Sequence, residues 1–183
     1  DKHKHWGSLV DVYDPVMKPS EWCRDQIKTV NTNPEDIKNV IQTHLHLDHS
    51  GAIGHFRNAT HITQRIEYDY AFNPDWFSQP AYIKEDFDKP NIRWKFLQGK
   101  KTDYFDLYGD GVIKIIFTPG HTPGHQSVLV KLPKTGHMLL TGDACYTGDH
   151  WCDKCLPGLV ASASDAADLS LIHISEPTRH SII

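Results

Sequence analysis

Apolar and polar positions alternate most cleanly near the middle of the chain, where Ile92, Trp94 and Phe96 are separated by Arg93 and Lys95. A period of two predicts a half-buried strand there. Short apolar runs at Val40–Thr43 and Thr60–Thr63 predict two more strands. The turn Gly109-Asp110-Gly111 leads into a further one at Val112–Thr118, and Lys134-Thr135-Gly136 separates Ser127–Leu132 from His137–Thr141 as the turn of a hairpin would. Helical spacing shows at Cys23, Ile27 and Val30, which predicts a helix capped by Ser20 and running to about Val30, with Asn33-Pro34 turning the chain out of it. Ile66 and Tyr70 fall on one side of a predicted helix over Gln64–Phe72, and the glycines of SGAIGHF, Gly51 and Gly54, read as a helix start packed close to other backbone. Residues 73 to 90 hold three prolines and several aromatics with no clean period, the mark of a surface excursion. The pattern is mixed α/β, with many strands ending in polar loops.

Composition narrows the class. With 183 residues, 39% of them hydrophobic and 10% aromatic, the chain can bury one substantial core. A formal charge of -4 leaves no basic footprint for nucleic acid or an acidic membrane surface. No apolar run reaches the roughly 18 residues that a spanning helix requires. The opening DKHKHW lacks the apolar centre of a signal peptide, and four cysteines are too few for a disulfide scaffold, so a reduced, cytoplasmic setting is expected. Cys152-Asp-Lys-Cys155 has knuckle-like spacing but no second pair, and reads as free thiols. The stretch Leu169–Arg179 resembles the translation of a sequencing-library adapter. Residues 1–168 are therefore expected to be the natural domain and 169–183 a non-natural tail.

Candidate chemistry concentrates where predicted strands run into loops. THLHLDHSG places His44, His46, Asp48 and His49 directly after an apolar run; TPGHTPGH holds His121 in a turn stiffened by two prolines and two glycines; LLTGD ends a strand on Gly142-Asp143. Imidazoles mixed with carboxylates suit zinc or a similar first-row divalent ion with a position left open for water. Six such groups exceed the three or four protein ligands of one catalytic zinc, which points to two ions sharing a carboxylate. His125 reads as a packing or supporting group rather than a ligand.

These three motifs, in this order, resemble the metallo-β-lactamase superfamily. Within it PEDIKNVIQTHLHLDHSG, FTPGHTPGHQSVLVK and LLTGDACYT are most similar to the N-acyl-homoserine lactonases, over about residues 6 to 168. The resemblance implies an α/β fold, the αββα sandwich, incomplete here at both ends. It also implies two divalent metal ions, zinc foremost: His44, His46 and His121 on one, Asp48 and His49 on the other, and Asp143 bridging. The family completes the second ion with a histidine in a late loop, and His150, His173 and His180 are not assigned to that role. The implied reaction opens the lactone ring of N-acyl-homoserine lactones through a metal-bridging hydroxide. Asp48 would pass a proton to the leaving oxygen and Tyr146 would hydrogen-bond the developing oxyanion. The partner is a small lactone, with neither nucleic acid nor membrane, and the oligomeric state is open. Other hydrolases on the same fold, a glyoxalase II-type thioesterase, a β-lactamase or a phosphodiesterase, stand as alternatives, as does a metal-binding but inactive fragment.

Overall fold

The structure, a computed structural model, describes residues 2–100, 103–148 and 150. The chain groups into two compact units, Asp1–Ile62 with Ala71–Lys95, and Thr63–Tyr70 with Phe96–Ile183.

The first unit opens with three short helices, α1 (Lys2–Trp6), α2 (Val10–Tyr13) and α3 (Cys23–Gln26). Asn33 then caps a single turn at Pro34–Asp36, its side chain accepting the Glu35 N–H at 3.2 Å, and delivers the chain into β1 (Asn39–Ile41). β1 pairs in parallel with β2 (Thr60–Gln64), Val40 lying opposite His61. A parallel pair needs a crossover, and α4 (Leu47–Ser50) with the turns after it supplies one. β2 runs directly into α5 (Arg65–Phe72); α6 (Lys84–Phe87) and β3 (Arg93–Leu97) follow, and the sheet order is β1-β2-β3. Leu45, Ile53, Ile62, Ala71 and Phe87 are wholly buried.

The second unit is built on an antiparallel sheet ordered β4 (Tyr104–Asp106), β5 (Ile113–Phe117), β6 (Gln126–Leu132) and β7 (Gly136–Leu140). The hairpin between β6 and β7 closes on the pair Leu132 and Gly136, and Gly136 has φ +80, a conformation that costs glycine little. Asp106 sets the β4–β5 turn by accepting backbone N–H bonds from Gly109 at 2.8 Å and Gly111 at 2.7 Å. β4 is absent from the hydrophobic pattern because three residues are too few to show a period.

Four expectations change. The helix expected over Ser20–Val30 is split into a turn at Pro19–Glu21, α3 and a second turn at Ile27–Val30; Trp22, extended at ψ 140, makes the break before α3, and Asn31, left-handed at φ 56, ends the last turn. Its supposed apolar face is not covered: Val30 is 69% exposed. The helix near SGAIGHF starts earlier, at Leu47, with His46 as its extended N-cap. Residues 73 to 90 are a surface excursion only in their first half, since Tyr82, Ile83 and Phe87 are buried and Phe87 meets Phe72 edge-on at 5.4 Å. Finally, α5 buries Glu67 and Ala71 rather than Ile66, which is 50% exposed.

Cys152, Cys155, the boundary at residue 168, the tail from 169 onward and, with it, His173 and His180 lie outside the described residues. Among the described residues no helix is long and apolar enough to cross a membrane.

Candidate metal centre

In the first unit the parallel pairing extends one step past β1, where Gln42 donates its N–H to the Ile62 carbonyl at 2.9 Å. The chain leaves the sheet there, and the next seven residues, Thr43 to His49, separate by chemistry. Leu45 and Leu47 are buried, while His44, His46 and His49 gather beside one another. The His44 ring centroid lies 4.6 Å from that of His46 and 4.2 Å from that of His49. The one-turn helix α4 makes this convergence possible, because His49 and Ser50 both donate N–H groups to the His46 carbonyl at 2.9 Å. Tyr82 buttresses the other side of His46, ring to ring at 4.7 Å. Asp48 lies on the exposed side of α4 with an oxygen 3.4 Å from His49 Nε2. The hydrogen bond from His49 holds the Asp48 carboxyl below its ordinary range against the opposing effect of burial. An ionised carboxylate is the form in which aspartate binds a cation.

In the second unit the turn 118–125 is buried almost throughout. Thr118 closes it by donating its N–H to the His125 carbonyl at 2.9 Å, and Gly120 donates to the Thr122 carbonyl at 3.0 Å. His121 is held with Nε2 at 3.4 Å from Asp143 Oδ2, and the Tyr146 hydroxyl lies 3.5 Å from its Nδ1. Three residues expected to share the site in this half of the chain, His121, Asp143 and Tyr146, are thus brought together.

His125 has a separate task. The Asp143 N–H donates to His125 Nε2 at 3.1 Å, which fixes the tautomer: the ring proton is on Nδ1. That proton faces the Thr118 hydroxyl at 2.8 Å and the Thr118 carbonyl at 3.2 Å. The donors then run one way, from His125 to Thr118, from Thr118 to Ser127 at 2.9 Å, and from Ser127 to the Thr141 carbonyl at 3.0 Å. The relay begins at Asp143 and ends two residues before it, so it clamps the segment that carries this carboxylate. Sequence reading placed His125 as a supporting group; it gave no sign of Thr118 or Ser127, whose partners are set by the pairing of β5 with β6. Glu67, wholly buried in α5, was missed altogether.

The donor set fits a divalent ion of the zinc type. The first unit offers three imidazoles and an ionised aspartate, the second an imidazole and an aspartate supported from behind by hydrogen bonds, as metal ligands commonly are.

Residues 8–177 match the family described as the metallo-beta-lactamase superfamily, and the chain belongs to it. It is 58% identical, over 165 residues, to the N-acyl homoserine lactonase AttM of Rhizobium radiobacter, a match covering 90% of this chain and 63% of that protein. It is 35% identical to the N-acyl homoserine lactonase AiiA of Bacillus thuringiensis subsp. kurstaki over 140 residues, or 76% of this chain and 51% of that one. Among solved structures it is similar to an N-acyl homoserine lactone hydrolase with the product N-hexanoyl-L-homoserine bound at the catalytic metal centre, with a TM-score of 0.73 and 30% identity over 88% of this chain and 59% of the other. The fold is that of the superfamily, mixed α/β. The chain spans between about half and two thirds of the length of these relatives.

Proposed function

We propose that the intact protein opens the lactone ring of N-acyl-homoserine lactones with two divalent metal ions, zinc foremost. On this reading His44, His46 and His121 would hold one, Asp48 and His49 the other, and Asp143 would be shared between them. The observation that carries this reading is the 58% identity to a lactonase over 90% of the chain, a span that includes every one of these residues within intact motifs. When bound, such ions supply a water with a pKa near 7 instead of about 15.7 and an electrophile for the carbonyl oxygen. The chain's own residues do the rest. Asp48, whose carboxyl the hydrogen bond from His49 holds below its ordinary range, would accept a proton and return it to the departing ring oxygen. Tyr146 is half exposed, its hydroxyl lies beside His121, and it would donate a hydrogen bond to the carbonyl oxygen as charge develops there. The clamp of His125, Thr118 and Ser127 keeps Asp143 in place while these groups act.

The fold alone does not choose the substrate, and a glyoxalase II-type thioesterase is the rival reading. The intact protein is expected to consume N-hexanoyl-homoserine lactone with release of one acid equivalent per ring opened, followed by pH-stat titration, and to leave S-lactoylglutathione untouched. Turnover confined to the thioester rejects the lactonase reading.

A further inference from the structure

Glu67 stands in the first turn of α5 with none of its surface exposed. Burying a carboxylate costs several kcal/mol unless hydrogen bonds replace its water, so a fold that needed only to fill this volume would use an apolar residue. Two of the bonds that Glu67 makes go to one place. Its Oε2 accepts the Thr122 hydroxyl at 2.6 Å and the Gly124 N–H at 3.1 Å, both in the turn that carries His121. A hydroxyl–carboxylate bond of 2.6 Å falls in the charge-assisted range. The two segments also touch directly: a Cβ built on Gly124 would collide with the Glu67 backbone nitrogen and Cα. Only glycine lets the turn lie so close to the helix.

Thr122 is the hinge of this arrangement. Its carbonyl accepts the Gly120 N–H at 3.0 Å and the His125 N–H at 3.4 Å, and its hydroxyl goes to Glu67. His121 is therefore flanked by a residue bound to Thr122 and by Thr122 itself. Without Glu67 the hydroxyl and the Gly124 N–H would both be buried donors lacking this acceptor, and the backbone on either side of His121 would be free to shift.

We infer that Glu67 is a positioning residue of the metal centre, acting through Thr122 and Gly124 to fix the His121 ring for coordination. This rests on the reading of His121 as a ligand made above. Partners hydrogen-bonded to the ligands themselves typically change metal affinity by roughly 10- to 100-fold when lost, and an effect of that order is expected here, transmitted to His121 through Thr122 and Gly124.

The test uses the intact protein with zinc alone as the probe, in competition with a chromophoric chelator, and cobalt substituted in parallel for its absorption spectrum. Thr122→Val and Glu67→Gln should each weaken zinc binding by roughly 10- to 100-fold and alter the cobalt spectrum, while Thr122→Ser, which keeps the hydroxyl, should restore both. A merely structural role would lower the melting temperature of the metal-free protein and leave zinc affinity and the cobalt spectrum unchanged in the folded variants; that result overturns the inference. If Glu67→Gln does not fold, the Thr122→Val and Thr122→Ser pair decides alone. His121→Ala separates the two layers. Zinc binding unaffected by that change brings down the ligand assignment and this inference with it, whereas a loss in His121→Ala with none in Thr122→Val rejects only the role of Glu67.

Discussion

His61 shows how a single side chain can set a property of the whole chain. It is 1% exposed on β2, its Nδ1 finds no hydrogen-bond partner among the described residues, and Trp94 packs against it with ring centroids 5.6 Å apart. Burial, reinforced by the charge of Lys89, pushes its pKa from 6.5 down to about 4. The folded ring is thus neutral at a pH where the unfolded one is already charged. Between pH 6.5 and about 4 the unfolded chain binds more protons, so the contribution of His61 to stability is fully present above pH 6.5 and is lost as pH falls toward 4. Urea unfolding at pH 7 and at pH 5 should therefore show a larger acid loss of stability in the wild type than in His61→Phe, by about 1 kcal/mol or more. Equal losses in the two proteins would mean that His61 is not held neutral. Nothing in the sequence marks this residue out from the other histidines. By contrast His44, His46, Asp48, His49, His121 and Asp143 stand out in the sequence as candidate ligands, because their spacing within short motifs carries that information. What local spacing cannot carry is the partner at a distance, such as Glu67 for Thr122 or Ser127 for Thr118.

At the scale of elements, the strands were read well and the helices poorly, for a physical reason. β5 and β6 each carry four apolar residues, Ile113, Ile115, Ile116 and Phe117 in one and Val128, Leu129, Val130 and Leu132 in the other, enough to mark both as strands. Helix α5 contains eight residues, too few for its apolar spacing to outvote its surroundings. The pattern put Ile66 inward; hydrogen bonds to Glu67 from the turn at Thr122 and Gly124 put Glu67 inward and Ile66 outward. Such an inversion is invisible to periodicity, which counts apolar residues and assumes that charged ones face water. The sheet itself depends on a small number of buried contacts. Ile115 on β5 is 1% exposed and pairs across the ladder with Val128 on β6, also buried. Ile115→Ala should cost about 2–5 kcal/mol by denaturant midpoint, through lost burial and the cavity left behind. Lys131→Ala, at an exposed position of the same strand β6, should change stability by no more than about 0.5 kcal/mol. A cost at Ile115 no larger than that at Lys131 would show that the β5–β6 pair is not part of the stabilising core.

For the molecule as a whole, the expected consequence of a metal centre is a fold whose stability depends on the metal. The superfamily was legible because three motifs recur in a fixed order along the chain, not because any one of them is decisive. On the proposed assignment that order also distributes the donors: the first motif would contribute four and the later two one each. An ion that draws ligands from segments so far apart in sequence binds the native state and has little to bind in the unfolded one. It therefore stabilises by mass action, by about 2.7 kcal/mol at a free concentration one hundred times its Kd. In a protein of this size that corresponds to roughly 5–10 °C in Tm. Metal-free intact protein titrated with zinc should rise in Tm by that order, and a chelator in excess should reverse the rise and abolish lactone hydrolysis. His46→Ala and His121→Ala, one from each end of the distribution, should each remove most of the shift. A double Cys152→Ser, Cys155→Ser variant should keep it, which separates this centre from zinc captured by the cysteine pair. A shift that survives both histidine changes and disappears with the cysteines would place the stabilising ion elsewhere, and the dependence of hydrolysis on the chelator would then need another cause.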